Sequence, residues 1–233
     1  MKVGIMQPYF LPYIGYWQLL NAVDVYVIYD DVNFIKGGWI NRNRLLMNNE
    51  PKLFNIKMNG ASPNKLINEI ELCSNLMWKK KLLKTISSCY KKAKYYDDVF
   101  PMIEKIINYD EKNMALYIKN SFEVICDYIG INTNLVLSST IEKNNELRAE
   151  DKVIEICKIL GGTEYYNAIG GQDLYLFENF RNSGLKLSFL KTNSIEYKQF
   201  NNEFVSNLSI LDVLMFNCKD KIKKFLDEYT LVT

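Results

Sequence analysis

The 233-residue sequence contains no histidine. That absence excludes Ser-His-Asp and Cys-His catalysis and any zinc site that needs an imidazole. Proton transfer near neutral pH is left to a carboxylate, lysine, tyrosine or cysteine, or to an amine of the substrate itself. Cysteine is sparse too. Cys73, Cys89, Cys126, Cys157 and Cys218 are odd in number and form no CxxC pair. They read as buried free thiols of a reducing compartment, with Cys218 the first place to look for a nucleophile. Glycine and proline number only 11 and 5, which excludes a repeat array or a disordered chain. The net charge of +2, with arginine only at 42, 44, 148 and 181, lacks the basic excess of a DNA-binding surface. A tRNA partner then enters only as an aminoacyl donor. No apolar run is long enough to span a bilayer, and the first residues lack a signal-peptide pattern. The expected compartment is the cytoplasm.

Apolar residues make up 48% of the chain, enough for a sizeable core, and the length suits one domain spanning 1–233. Lys2 to Gln7 reads as a buried strand, 15–21 as a short helix and Val23 to Tyr29 as a second buried strand. Such a βαβ unit requires parallel strands. Pro12 restricts Leu11 to extended geometry. Asn48 to Pro51 is a turn before a strand over 53–57, and 67–72 is a further short strand. Apolar spacing predicts helices over 76–90, 95–108 and 114–129, the last stopped by Gly130. These form a helical insertion over 74–130. Strands follow at 133–138 and 185–190. Helices follow from 150, over 173–182, over 209–216 with Ser209 as N-cap, and over 220–229. The class is α/β: a parallel Rossmann-like sheet with a central helical insertion.

Three constellations carry chemistry. The first is Gln7-Pro-Tyr9-Phe-Leu-Pro-Tyr13-Ile-Gly15-Tyr16, placed where open α/β sheets bind ligands. Gly15 there allows a phosphate or adenosine near the backbone, and the helix N-terminus favours an anion. The second joins Asp30 and Asp31 to Lys36, Trp39, Asn41, Arg42 and Arg44. The paired carboxylates suit an amine, a cation or a base role. The arginine forks suit a diphosphate or carboxylate. In an extended segment Asn41 shares a face with Trp39 while Arg42 and Arg44 take the other. The third is Tyr165-Tyr-Asn167-Ala-Ile-Gly170-Gly171-Gln172, whose glycines permit unusual backbone angles and an amide cradle for an anion. Each also has a plain structural alternative: a proline–aromatic clamp, a solvated edge strand and an ordinary turn. Asp212 either completes the cap at Ser209 or serves as a partly buried functional carboxylate.

Tyr13-Ile-Gly-Tyr16 resembles the HxGH segment of nucleotidylyltransferases, with tyrosine at both histidine positions. This resemblance implies nucleotidylyltransferase-like topology, but tyrosine supplies no imidazolium charge for adenylyl transfer. The longer stretches MQPYFLPYIGYWQLLNAVDVYVIYDDVNFIKGGWINRNRL, AEDKVIEICKILGGTEYYNAIGGQDLY and SFLKTNSIEYKQF…LSILDVLMFN are similar to the WbqC-like family. Where relatives carry a basic residue before the GW, this chain has Gly37, beside Lys36. The resemblance implies a role in O-antigen or other surface-polysaccharide assembly, with transfer of an acyl or aminoacyl group, such as glycyl, to a nucleotide-linked amino sugar. The mechanism it suggests is that Asp30 or Asp31 deprotonates the sugar ammonium and Tyr13 or a backbone amide stabilises the oxyanion. Gln7, Tyr9, Tyr13, Tyr16, Asp30, Asp31, Trp39, Asn41 and Arg44 would line the site, with the diphosphate against Arg42 or Arg44, and Asn167, Gly170, Gly171, Tyr197 and Asp212 would close it. The donor stays open between acyl-CoA, aminoacyl-tRNA and an ATP-derived adenylate. An ATP-dependent adenylating ligase and a non-catalytic sugar-nucleotide-binding protein are the alternatives.

Overall fold

The computed structural model describes residues 1–200 and 203–233. β1 (Lys2–Met6) runs up the centre of a six-stranded sheet. α1 (Ile14–Asn21) leads into β2 (Val25–Ile28), which pairs parallel to β1 as the βαβ reading requires. β3 (Arg42–Met47) and β4 (Glu50–Asn55) form a separate antiparallel hairpin. Its two turn residues, Asn48 and Asn49, have φ of +53° and +66°, the left-handed pair that a tight hairpin demands and asparagine tolerates. β5 (Met58–Asn59) pairs with β6 (Glu71–Leu72).

Helices α2 (Met77–Tyr90), α3 (Tyr96–Asn108) and α4 (Met114–Ile129) follow the apolar spacing of the sequence, and Gly130 ends α4 at φ +87°. β7 (Asn134–Leu137) then returns to the main sheet beside β2. The long excursion from β2 to β7 therefore contains two hairpin-like units as well as the three helices. α5 (Ala149–Ile159), β8 (Glu164–Ala168), α6 (Phe177–Asn182) and β9 (Lys186–Thr192) complete the parallel part. α7 (Ile210–Phe216), α8 (Lys219–Leu226) and an antiparallel edge strand β10 (Tyr229–Val232) close the chain.

The sheet order β10-β9-β8-β1-β2-β7 is doubly wound. The chain leaves β1 for β2 on one side and later returns to β8 on the other, so β1 and β8 flank the topological switch point. Strand alternation sorts the apolar side chains. Val3, Ile5, Val25 and Val27 face a cluster with α5 and α6 residues such as Ile156 and Phe180. Tyr26 and Ile28 face the larger cluster that takes in Trp17, Ile86, Ile103 and Phe122. No helix among the described residues is long and apolar enough to cross a membrane.

Four local expectations give way to tertiary contacts. Residues 164–168 are a strand, not a lead-in to a glycine loop, because β1 and β9 pair on both sides of them. The last helix stops at Leu226 rather than Tyr229. The fully buried Gln18 amide donates to the carbonyls of Phe225 and Glu228, at 2.7 and 3.0 Å, and turns the chain into β10. Cys218 is exposed, whereas Cys126 and Cys157 are buried and burial pushes both thiols up to about 12. Leu11 is not extended. Its φ is +47°, a conformation that strains a side-chain-bearing residue, and Asn43 Nδ2 and Ser209 Oγ hold its carbonyl at 2.9 and 2.7 Å.

Candidate functional site

The carboxyl ends of β9, β8, β1, β2 and β7 lie side by side along one edge of the sheet. Open α/β sheets bind ligands along this edge. Two recesses occupy it, one on each side of the β1 exit.

The first is a groove of two pockets that share Tyr13 and Asn207. One, of about 260 Å³, is lined by Tyr9, Pro12, Tyr13, Trp39, Asn43 and Arg44 as well as Asn207. The segment 39–41 is a turn, not a strand, so Trp39 folds back over the arginine face of β3 instead of sharing a face with Asn41. The guanidinium groups of Arg42 and Arg44 sit 5.6 and 5.0 Å from its ring. Arg42 is tied to the Gly37 carbonyl. Arg44 has no carboxylate partner among the described residues, so its fork remains available to an outside anion.

The other pocket, of about 400 Å³, follows β9. Its polar lining is Tyr13, Thr192, Asn193, Ser194, Ser206 and Asn207, with Glu196 as the lone charged residue and Tyr197 as a further aromatic. The pocket thus offers hydroxyls, amides, aromatic faces and one carboxylate to a ligand. Tyr13 stands between the two pockets. Burial raises its hydroxyl pKa, with a hydrogen bond from Thr192 acting the other way.

Gly15 builds this wall in a way the sequence did not suggest. A Cβ there would lie 2.4 Å from Thr192 Oγ1 and 2.5 Å from the Tyr13 ring. The missing side chain makes room for the two site hydroxyls, not for a ligand. Tyr16 is buried, and its hydroxyl donates to the Gln7 carbonyl at 2.8 Å, which shapes the loop from inside.

Tyr197 is positioned by Asp212. That carboxylate is fully buried and accepts from Tyr197 Oη (2.6 Å), Gln199 Nε2 (2.6 Å) and Tyr90 Oη (3.0 Å). The Tyr90 hydroxyl in turn accepts from the Leu46 amide at 2.9 Å. One side chain thus ties α7 to α2, β3 and the segment that walls the groove. Burial raises the Asp212 pKa to about 6, and the three donors only partly offset it. Asp212 therefore reaches the groove through Tyr197 and is closed to a ligand. Ser209, three residues before it, does cap α7, accepting from the Leu211 amide.

The second recess, about 450 Å³, lies past the ends of β2 and β7. Tyr29, Asp31, Lys143, Arg148 and Lys152 line it. Asp31 Oδ2 receives Lys143 Nζ at 2.9 Å and Lys152 Nζ at 3.2 Å. Burial alone would raise this carboxyl. The ion pair with Lys143 and the charges of both lysines outweigh it and hold Asp31 below the ordinary range. Asp31 is thereby a poor base and a strong charge partner.

Asp30 does not share this recess. It is buried, and its two oxygens accept from the Ser139 amide (2.9 Å) and hydroxyl (2.6 Å), locking the β2 exit to the turn after β7.

The remaining predicted positions fall outside both recesses. Lys36 is exposed in a turn. Asn41 pairs with Ile56 through backbone and side chain. Asn167 sits at the switch-point end of β8, where its amide bonds the Tyr165 hydroxyl and the Ala168 N–H. Gly170 and Gly171 lie in a 3-10 turn without positive φ, so the expected unusual backbone is absent. Gly171 instead accommodates the Asn167 amide, 3.1 Å from where its Cβ would be. Gln172 is exposed on the same turn. The residues that sequence reasoning missed include Asn43, Thr192, Asn193, Ser194, Glu196, Ser206, Asn207, Lys143 and Lys152. A strand end followed by Thr192-Asn-Ser-Ile-Glu196 was the one available signal.

A doubly wound α/β protein with ligand-sized recesses along its carboxyl edge is the class that fold and site define. The chain belongs to the WbqC-like protein family, whose model matches residues 7–224. It is similar to the uncharacterised protein Rv1507c of Mycobacterium tuberculosis, at 25% identity over 220 residues that cover 93% of each chain. No solved structure matches it.

Proposed function

We propose that this protein is a transferase that places an acyl or aminoacyl group on the amino group of a nucleotide-linked sugar, in surface-polysaccharide biosynthesis. The observation that carries the reading is the groove around Tyr13. A cationic, aromatic pocket, whose Arg44 has no carboxylate partner among the described residues, abuts a hydroxyl- and amide-lined pocket with a single carboxylate. A nucleotide-linked amino sugar has the complementary halves: a flat base and a diphosphate on one side, a pyranose with an amine on the other. In this reading the base stacks on Trp39, Arg44 meets the diphosphate, and the sugar hydroxyls bond Thr192, Ser194 and Asn207.

Glu196 pairs with the sugar ammonium and takes its proton. The freed amine attacks the acyl carbonyl carbon. The bond from that carbon to the donor's leaving sulfur or oxygen then breaks, and the second amine proton leaves with that group. The Tyr13 hydroxyl is kept neutral by burial and suits donation to the oxyanion. The base role passes from Asp30 and Asp31 to Glu196, because Asp30 is committed to Ser139 and Asp31 is held low by lysines.

Calorimetric titration with a nucleoside diphosphate tests the cationic half. Arg44→Ala is expected to weaken binding about tenfold or more, equivalent to about 1.4 kcal/mol, and added salt to weaken wild-type binding. Equal affinity of wild type and variant would remove the diphosphate from this pocket. An ATP-dependent adenylating ligase is the second reading, and the cationic recess at the ends of β2 and β7 is what favours it.

A further inference from the structure

The recess beyond β2 and β7 has a charge imbalance that the groove reading does not use. Lys143 and Lys152 side chains are only 2% and 7% exposed, yet one carboxylate, Asp31, serves both. Lys143 is further fixed by the carbonyls of Ser138 and Ile141. Arg148 bonds only the carbonyls of Asn145 and Leu147, at 2.6 and 3.1 Å, and has no carboxylate partner among the described residues. Asp31 is the recess's lone acidic residue, so its lining carries three cations against one anion.

No carboxylate but Asp31 lines the recess, and the neighbouring Glu142, Glu146 and Asp151 are exposed to solvent. Asp30 is turned to Ser139. Glu150, in the first turn of α5, is drawn to the Leu176 amide and Asn179. Glu155 accepts from the Asn144 amide. A buried ammonium without its own counter-charge is costly to keep. An anion from outside, seated among these side chains, would remove that cost. α5 begins at this end with Arg148 as an extended N-cap that makes no side-chain cap, and its first-turn Glu150 and Asp151 offset part of the helix-dipole field.

We propose that this recess is a second binding site, for the phosphate of a phosphorylated ligand, with Lys143, Lys152 and Arg148 as its cationic residues. The site is separate from the groove around Tyr13 and does not depend on the sugar reading. Asp31 acts in it as a resident counter-ion. It holds the lysines together when the site is empty and competes with the ligand for them when it fills. A plain structural ion triad makes no such prediction.

The test is calorimetric titration of the full chain with inorganic pyrophosphate, followed by ATP and coenzyme A. Pyrophosphate is expected to bind with an affinity that falls as salt rises. Arg148→Ala, at an exposed position and checked for folding by its melting temperature, is expected to weaken it at least fivefold. Asp31→Asn is expected to tighten it, because the competing charge is gone. If Asp31→Asn fails to fold, Arg148→Ala decides alone. Stronger binding of ATP than of coenzyme A would assign the site to a triphosphate tail, and the reverse order to a thioester donor. Either order supports a phosphate site. Absence of pyrophosphate and ATP binding to folded wild type would overturn the proposal. So would pyrophosphate binding that Arg44→Ala abolishes and Arg148→Ala leaves unchanged, which would return the phosphate to the groove.

Discussion

Asp212→Ala is expected to lower the melting temperature by on the order of 10 °C at pH 5. The substitution strips the acceptor from three buried donors, Tyr90, Tyr197 and Gln199. Each buried group left without a partner costs about 1–3 kcal/mol, and the cavity adds to that. A total of about 3–5 kcal/mol corresponds to roughly 2–4 °C per kcal/mol in a chain of this size.

The effect has a defined pH dependence. The folded pKa of Asp212, about 6, lies above the ordinary 3.8. Asp212 therefore binds its proton more tightly in the folded state. The resulting stabilisation is fully present below about pH 4 and is lost as pH rises through about 6. Alanine does not titrate. The gap between wild type and variant should narrow by about 1.4 kcal/mol between pH 5 and pH 8. Urea melts of both proteins at the two pH values measure this directly. A gap that widens with pH would mean that the three donors outweigh burial and favour the carboxylate.

Gly15→Ala is the second large effect, and it falls on the groove. The new methyl would collide with Thr192 Oγ1 and the Tyr13 ring at 2.4 and 2.5 Å. Neither neighbour can yield without disturbing the wall between the two pockets. Overpacking of this kind costs about 1–3 kcal/mol. Because the displaced groups are site hydroxyls, ligand affinity should drop by more than the stability loss suggests, by at least tenfold for the nucleotide-linked amino sugar. Thermal melts and titration on the same preparation separate the two. Unchanged affinity in a folded Gly15→Ala protein would show that Tyr13 and Thr192 lie outside the binding surface.

Local chemistry made much of this fold readable in the sequence. The unbroken apolar run Val25–Ile28, the helical spacing of 77–129 and Gly130 as a stop each depend on near neighbours along the chain. The Tyr9, Tyr13, Trp39 and Arg44 pocket was legible because those residues follow β1 and β2, where a parallel sheet gathers ligand contacts.

What stayed hidden depends on long-range partners. Leu11 adopts φ +47° only because Asn43 and Ser209 grip its carbonyl. Lys143 and Lys152 look like two more surface lysines until β7 and α5 bring them to Asp31. Asp212 reads as a helix-cap residue until Tyr90 and Tyr197 arrive from 122 and 15 residues away. Strand β8, rich in tyrosine and flanked by glycines, is defined by its pairing with β1 and β9 more than by its own residues.

In the reading proposed above, the two pockets meeting at Tyr13 receive one ligand with two unlike halves. The most direct test is calorimetric titration of the protein with a nucleoside diphosphate, with the free 4-amino sugar and with the two joined. The account predicts that the joined compound binds at least tenfold tighter than either half. It also predicts that Arg44→Ala weakens the nucleotide half, Glu196→Gln weakens the sugar half, and both weaken the joined compound. A joined compound that binds no better than the nucleoside diphosphate alone, with Glu196→Gln without effect, would contradict it.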